Sequence, residues 1–143
     1  MDEAVKKAVS LTEASLKEFN IVLDIDCTGD PQINGYFNEY GQVLLNILMN
    51  ARDAFGAKGK SHKQVTVRSW AENDRAVVTI TDNAGGIKAE IIGKIFDAYY
   101  TTKVLGKGTG VGLFMSHNII ENSMGGRLSV RNVEGGAEFR IEV

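Results

Sequence analysis

Apolar residues recur along the chain with two different periods. Between Ala4 and Phe19, the residues Val5, Ala8, Val9, Leu16 and Phe19 fall at mixed three- and four-residue steps, which predicts an amphipathic helix. The run Ile21-Val22-Leu23-Asp24-Ile25-Asp26-Cys27 then alternates and predicts a strand. From Phe37 to Phe55 the helical spacing returns, with Leu44, Ile47, Leu48, Ala51 and Phe55 on the apolar side. On the same helix Gln42, Asn46, Asn50 and Asp53 follow one another by four, four and three residues, so they form one polar stripe.

Two β-rich runs come next, Gln64 to Trp70 and Ala76 to Asp82, joined across Glu72-Asn73-Asp74 as a hairpin. In the second run Val78, Ile80 and Asp82 share a face, so alternation sends a carboxylate toward the interior, where it needs a partner. A glycine-rich stretch, Gly106 to Gly112, opens a helix from about Val111 to Met124 that stops at Gly125-Gly126. The chain closes with Leu128 to Val133 and Ala137 to Val143; in the second, Ala137, Phe139, Ile141 and Val143 alternate with Glu138, Arg140 and Glu142. Strands in one layer and three helices in the other predict a two-layer α/β sandwich with a mixed, mostly antiparallel sheet.

Composition narrows this without changing it. At 143 residues, with one Pro, the chain has the size of one domain, and Gly29, Asp30 and Pro31 read as a turn. A single cysteine excludes a disulfide scaffold; Cys27, inside an apolar run, reads as a small buried side chain, and one cysteine suits a reducing compartment. With 16 Lys+Arg against 18 Asp+Glu the net charge is -2, which gives no overall attraction to nucleic acid or anionic lipid, so an anionic ligand must be held locally. Asn46 and Asn50 cut the apolar stretch around Leu44-Leu45 before membrane-spanning length, and the start Met1-Asp2-Glu3 lacks the basic end of a signal peptide.

Alone, a glycine loop opening a helix is a weak sign of phosphate binding. This one is neither a P-loop, since no Gly-Lys-Ser/Thr ends it, nor a dinucleotide fingerprint. In combination the signal is specific: Asn46-Ile47-Leu48-Met49-Asn50-Ala51-Arg52-Asp53-Ala54, Asp82-Asn83-Ala84-Gly85-Gly86-Ile87, Ile95-Phe96-Asp97-Ala98-Tyr99-Tyr100-Thr101-Thr102-Lys103, then Gly108-Thr109-Gly110-Val111-Gly112-Leu113. In order and spacing, from about residue 18 onward, these resemble the ATP-binding catalytic domain of bacterial sensor histidine kinases. That family sits in the GHKL superfamily with DNA gyrase, the mismatch-repair ATPases and the ninety-kilodalton heat-shock chaperone. The resemblance implies a Bergerat-type ATP-binding sandwich over residues 19–143, with helix 1–18 as the possible tail of a dimerisation and phosphoacceptor domain.

The resemblance further implies ATP and Mg²⁺ as ligands. Asp82 would receive the exocyclic amine of adenine, and a buried carboxylate is a sound acceptor for it. Asn50 would ligate Mg²⁺, a hard cation that takes few protein oxygens beside water and phosphate. Asp53, one turn on, orients a metal-bound water or merely ends the polar stripe. Catalytic residues by this reading are Asn46, Asn50 and Lys103. The nucleotide would also meet Ala84, Gly86, Ile87, Phe96, Thr102, Lys103, Gly106, Lys107, Gly108, Thr109, Gly110, Val111, Gly112 and Leu113, the polar segment from Asp97 to Thr109 acting as a lid. Phe96 resembles the family residue that packs on the partner helical bundle, and plain core is the alternative.

Hydrolytic relatives carry a Glu as general base where this chain has Asn46. An amide cannot take a proton from water, so the resemblance favours phosphoryl transfer to a histidine on a separate dimerisation domain, with a response regulator downstream. Neither His62 nor His117 resembles the phosphoacceptor, so the histidine-bearing helices are expected outside this chain. Ala84 stands in place of the first glycine of Asp-x-Gly-x-Gly, a change that matters only if the position needs a positive φ; Tyr99-Tyr100 stand where Phe-Phe is common. The expected domain is a cytoplasmic monomer with no membrane contact of its own, compatible with a membrane-anchored parent. The competing readings are a hydrolysing clamp ATPase, a serine kinase of the anti-sigma-factor type, and a non-catalytic nucleotide sensor.

Overall fold

A computed structural model of the chain describes residues 2–29, 31–33, 37–55, 62–97 and 112–143. The elements run α1 (Asp2–Glu18), β1 (Ile21–Cys27), α2 (Phe37–Phe55), β2 (Lys63–Glu72), β3 (Arg75–Asp82), a single turn α3 (Ala89–Ile92), α4 (Gly112–Asn118), β4 (Arg127–Val133) and β5 (Gly136–Glu142). The five strands form one sheet in the order β1-β2-β3-β5-β4. Only β1 and β2 are parallel, joined through α2; the other pairs are antiparallel. This is the mostly antiparallel α/β sandwich that the alternation predicts.

Register explains the two faces. Val65 pairs with Asp82, Val67 with Ile80 and Ser69 with Val78, while Val78 and Ile80 pair on the other side with Ile141 and Phe139. These side chains face the helices, where Tyr40, Leu44, Ile47 and Leu48 of α2 complete the core with Ala4, Val5, Ala8 and Leu16 of α1. Alternation therefore places Asp82 inside, and it is 6% exposed. On the outer face Val77 is buried as well, and the Arg140 guanidinium lies 5.7 Å from the centre of the neighbouring Trp70 ring. Arg140 also pairs with Glu142 and Glu72; first the Glu142 hydrogen bond and then Glu72 push its protonation equilibrium further toward the charged form. Long polar side chains thus cover the sheet where no helix does.

Three local features depart from the sequence expectation. α1 ends at Glu18, and Asn20 takes a left-handed φ of 58°, so Phe19 leaves the helix face, stays 43% exposed and is capped by Arg52 at 5.5 Å. The last helix is not continuous to Met124: α4 gives way at Ile119–Ser123 to a π-helical turn, closed by Gly125 at φ 65° and by the Gly126 N–H donating to the Ile120 carbonyl. Cys27 is half-buried because it ends an edge strand, where only one side is covered. Asn73 and Asp74 both have positive φ (51° and 61°), so the β2–β3 connection is the two-residue turn that matches strand twist. Among the described residues no helix is long and apolar enough to cross a membrane.

Candidate functional site

α2 packs its apolar side into the core, its polar stripe meets α4 at Asn46, and β3 ends at Asp82. The Asp82 carboxylate is held at the strand end by the Ala84 N–H, which donates to Oδ1 at 3.0 Å. Beyond it the backbone turns sharply, with Gly85 at φ 101° and Gly86 at φ 83°, conformations that glycine alone adopts without strain. Ala84 does not take a positive φ, so the missing glycine there costs nothing. Asn83 fixes the loop to the start of β2: its Oδ1 accepts from the Gln64 N–H at 2.8 Å and its Nδ2 donates to the His62 carbonyl at 3.0 Å.

Asn46 is engaged as a structural link. Its Nδ2 donates to the Gly112 carbonyl at 3.4 Å and to the Ser116 hydroxyl at 3.2 Å, while its Oδ1 accepts from Gln42 at 2.9 Å. Ser116, fully buried, donates in turn to the Gly112 carbonyl at 2.8 Å. The first turn of α4, where the glycine-rich stretch ends, is therefore latched to the middle of α2 by an amide acting as donor. Asn50, half-buried, lies one helical turn further on the same stripe. Asp53 accepts both the Arg52 Nε–H at 3.0 Å and an Nη2–H at 2.8 Å, and Arg52 reaches across to the Ser15 hydroxyl of α1 at 2.6 Å. The end of α2 is thus tied to α1 through Arg52, which Asp53 holds.

Phe96 is partly buried, its ring stacked on His117 of α4 at 5.0 Å between centroids and edge-on to Phe139 at 6.2 Å. Glu121 holds the same His117 at Nε2, 2.9 Å away. Phe96 therefore connects the segment before residue 98 to α4 and to β5. Gly112 and Leu113 open α4, with Leu113 packed against the core, and Ile87 likewise packs at the core's margin. Thr102, Lys103, Gly106, Lys107, Gly108, Thr109, Gly110 and Val111 lie outside the described residues.

The residues present fit an adenine nucleotide and its cation. A buried carboxylate at a strand end offers acceptors for an amine, left-handed glycines bring backbone close to a flat ligand, and a half-buried amide on the facing helix offers one neutral oxygen to a hard ion. Among the described residues there is no group of three or more His, Cys, Asp or Glu able to hold a metal by themselves. A cation at this site would be shared with phosphate oxygens.

Two residues of the site escape a reading of motifs. Asn132 and Gly136, in the β4–β5 hairpin, touch the Asp82–Ile87 loop directly. In sequence Asn132 reads as a residue of the strand Leu128 to Val133 and Gly136 as part of the turn after it, and only the fold brings them to the loop.

A two-layer sandwich with a buried carboxylate at the end of β3, glycine turns beside it and an amide stripe on the covering helix defines a nucleotide-binding domain of the ATPase and kinase kind. The chain belongs to the family of histidine kinase-, DNA gyrase B- and HSP90-like ATPases, whose model matches residues 37–143. Within it, the two-component sensor PprA of Pseudomonas aeruginosa is 34% identical over 98% of this chain, and the sensor histidine kinase ZraS of Salmonella typhi is 42% identical over 70%. The chain spans only 16% and 20% of the length of those two proteins. The nucleotide-free catalytic domain of the histidine kinase ThkA superposes with a TM-score of 0.88 at 27% identity, covering 100% of this chain and 91% of that one.

Proposed function

We propose that this chain is the ATP-binding catalytic domain of a two-component sensor histidine kinase, which presents the γ-phosphate of Mg²⁺-bound ATP to a histidine on a separate dimerisation domain. The observation that carries it is the Asn46 latch. A hydrolytic member needs a general base at this position, one turn before the metal-binding Asn50. Here the side chain is an amide whose N–H groups are directed to the Gly112 carbonyl and the Ser116 hydroxyl, so it neither takes a proton nor turns to activate water. The acceptor must then come from another domain, and transfer rests on positioning and charge neutralisation.

When bound, ATP supplies the phosphoryl group and Mg²⁺ the positive charge that offsets its oxygens. In this reading Asp82 selects adenine by accepting from its exocyclic amine. Asn50 offers an amide oxygen to the cation, and the Asn46 latch fixes the start of α4 and hence the end of the glycine stretch. Lys103 and the glycines from Gly106 to Gly110 would face the phosphates, as the resemblance implies. The downstream partner is a response regulator, which receives the phosphoryl group from the histidine.

Calorimetric titration with a non-hydrolysable ATP analogue, with and without Mg²⁺, tests the binding half. Incubation with labelled ATP and a supplied dimerisation domain tests the transfer half. Metal-dependent binding followed by acid-labile, base-stable label on the supplied domain supports the proposal. Steady release of inorganic phosphate with no label transferred overturns it in favour of a hydrolase.

A further inference from the structure

The loop after β3 crosses the tip of the β4–β5 hairpin and is tied there at Gly85 and Ile87. The Gly85 N–H donates to the Gly135 carbonyl at 2.9 Å. Then the Asn132 side chain takes both peptide groups of Ile87: its Oδ1 accepts the Ile87 N–H at 2.7 Å, and its Nδ2 donates to the Ile87 carbonyl at 2.7 Å. An amide paired in this reciprocal way imitates a neighbouring strand. Gly86 passes so near that a Cβ would meet Asn132 Oδ1 at 3.1 Å and the Gly136 carbonyl at 3.3 Å.

We propose that Asn132 is a positioning residue for the nucleotide site, clamping Ile87 so that the Asp82–Ile87 loop keeps the one course that lets it read adenine. The inference rests on the adenine assignment of Asp82 made above. Its physical ground is that Gly85 and Gly86 give the second half of the loop wide conformational freedom, so beyond the Asp82 and Asn83 side-chain bonds its course is set by tethers from the β4–β5 hairpin. Asp82 holds the near end through Ala84, Gly135 holds the middle, and Asn132 holds the far end with two of the shortest bonds in the loop. Without the clamp, the Ile87 peptide groups turn to water and the far end is held only by packing of the Ile87 side chain.

The test is Asn132→Ala in the whole chain, titrated with ADP and with GDP, beside hydrogen exchange at the Ile87 amide. Asn132 is exposed, so the variant is expected to fold and melt close to the parent. ADP affinity should fall about three- to thirtyfold, the loss expected for one or two ordinary hydrogen bonds. GDP affinity should stay where it was, so that discrimination between the bases narrows, and the Ile87 amide should exchange faster while amides of β2 and β3 do not. A variant with unchanged ADP affinity overturns the proposal. So does an equal loss for both nucleotides with faster exchange throughout the sheet, the mark of a merely structural role. Should the parent itself bind no ADP, the nucleotide reading fails first, on the parent alone, and the clamp with it.

Discussion

Asp82→Asn separates binding from folding at the residue on which the nucleotide reading depends. The substitution keeps volume and shape at a position 6% exposed, and the amide oxygen can still accept the Ala84 N–H now found at 3.0 Å. The turn into Gly85 and Gly86 should therefore survive. What changes is polarity: an ionised carboxylate offers about four acceptor sites, whereas an amide offers two and points donors from its other end. The adenine amine is itself a donor, so on the proposed reading the variant would set donor against donor in place of a charge-assisted bond. Hydrogen bonds to charged groups are worth about 1.5–3 kcal/mol, which corresponds to roughly a tenfold to over a hundredfold loss of affinity.

Two measurements on the same samples check it. Calorimetry should show ADP binding weakened by that factor, and thermal melting should show a midpoint shift of only a few degrees, since about 1 kcal/mol moves a domain of this size by roughly 3–5 °C. The reasoning is refuted if ADP binds Asp82→Asn as tightly as the parent. It is refuted equally if the affinity loss comes with a collapse in melting temperature, because the carboxylate would then be part of the frame rather than of the ligand contact.

Other expected outcomes follow from single contacts. Asn50→Ala should abolish most of the Mg²⁺ dependence of nucleotide binding while leaving metal-free binding nearly unchanged in calorimetry; equal loss with and without metal would make Asn50 structural. Gly136→Ala puts a Cβ into the Asp82 carbonyl, 2.7 Å from the Asp82 carbonyl carbon and 3.0 Å from Asn83 Cα, so the hairpin must move off the loop. Overpacking of this kind costs about 1–3 kcal/mol, and both melting temperature and ADP affinity should fall together. Tyr40→Phe should raise stability, because the Tyr40 hydroxyl is buried and has no hydrogen-bond partner among the described residues. Burial also pushes the Tyr40 phenol above its ordinary value. The unfolded chain then loses that proton first as pH rises past about 10, and the parent should weaken relative to Tyr40→Phe by about 1.4 kcal/mol per pH unit there, measurable by denaturant titration across that range.

The sheet and its covering helices were legible because each strand carries its pattern on its own residues. β1 and α2 have the bounds that alternation and helical spacing give, and Asp82 faces inward because it is in step with Val78 and Ile80. What spacing could not show was where regular geometry yields. Phe19 continues the helical period of α1, yet Asn20 turns left-handed and leaves the ring outside, where Arg52 covers it. The π-helical turn at Ile119–Ser123 is equally invisible, since one extra residue in a turn leaves the surrounding apolar pattern readable as a single helix. The brief turn α3, Ala89–Ile92, is one turn long and too short to show an apolar period at all.

For the site, the division falls between residues whose type is the chemistry and residues whose type serves geometry. Asp82, Asn50 and the paired glycines can be picked out because a buried carboxylate, a mid-helix amide and adjacent glycines are each unfavourable without a reason. Asn46 is half of each kind. Its place in the stripe was plain, but its bonds to Gly112 and Ser116 span 66 and 70 residues. Asn132 reaches Ile87 across 45 residues. In both cases a side-chain amide bonds to groups far away in sequence, and nothing local distinguishes such an amide from one in a turn. The site is thus bounded on two sides by amides, one fixing the start of α4 and the other the far end of the β3 loop. Substitutions at these two positions should alter nucleotide handling while Asp82 and Asn50 remain intact.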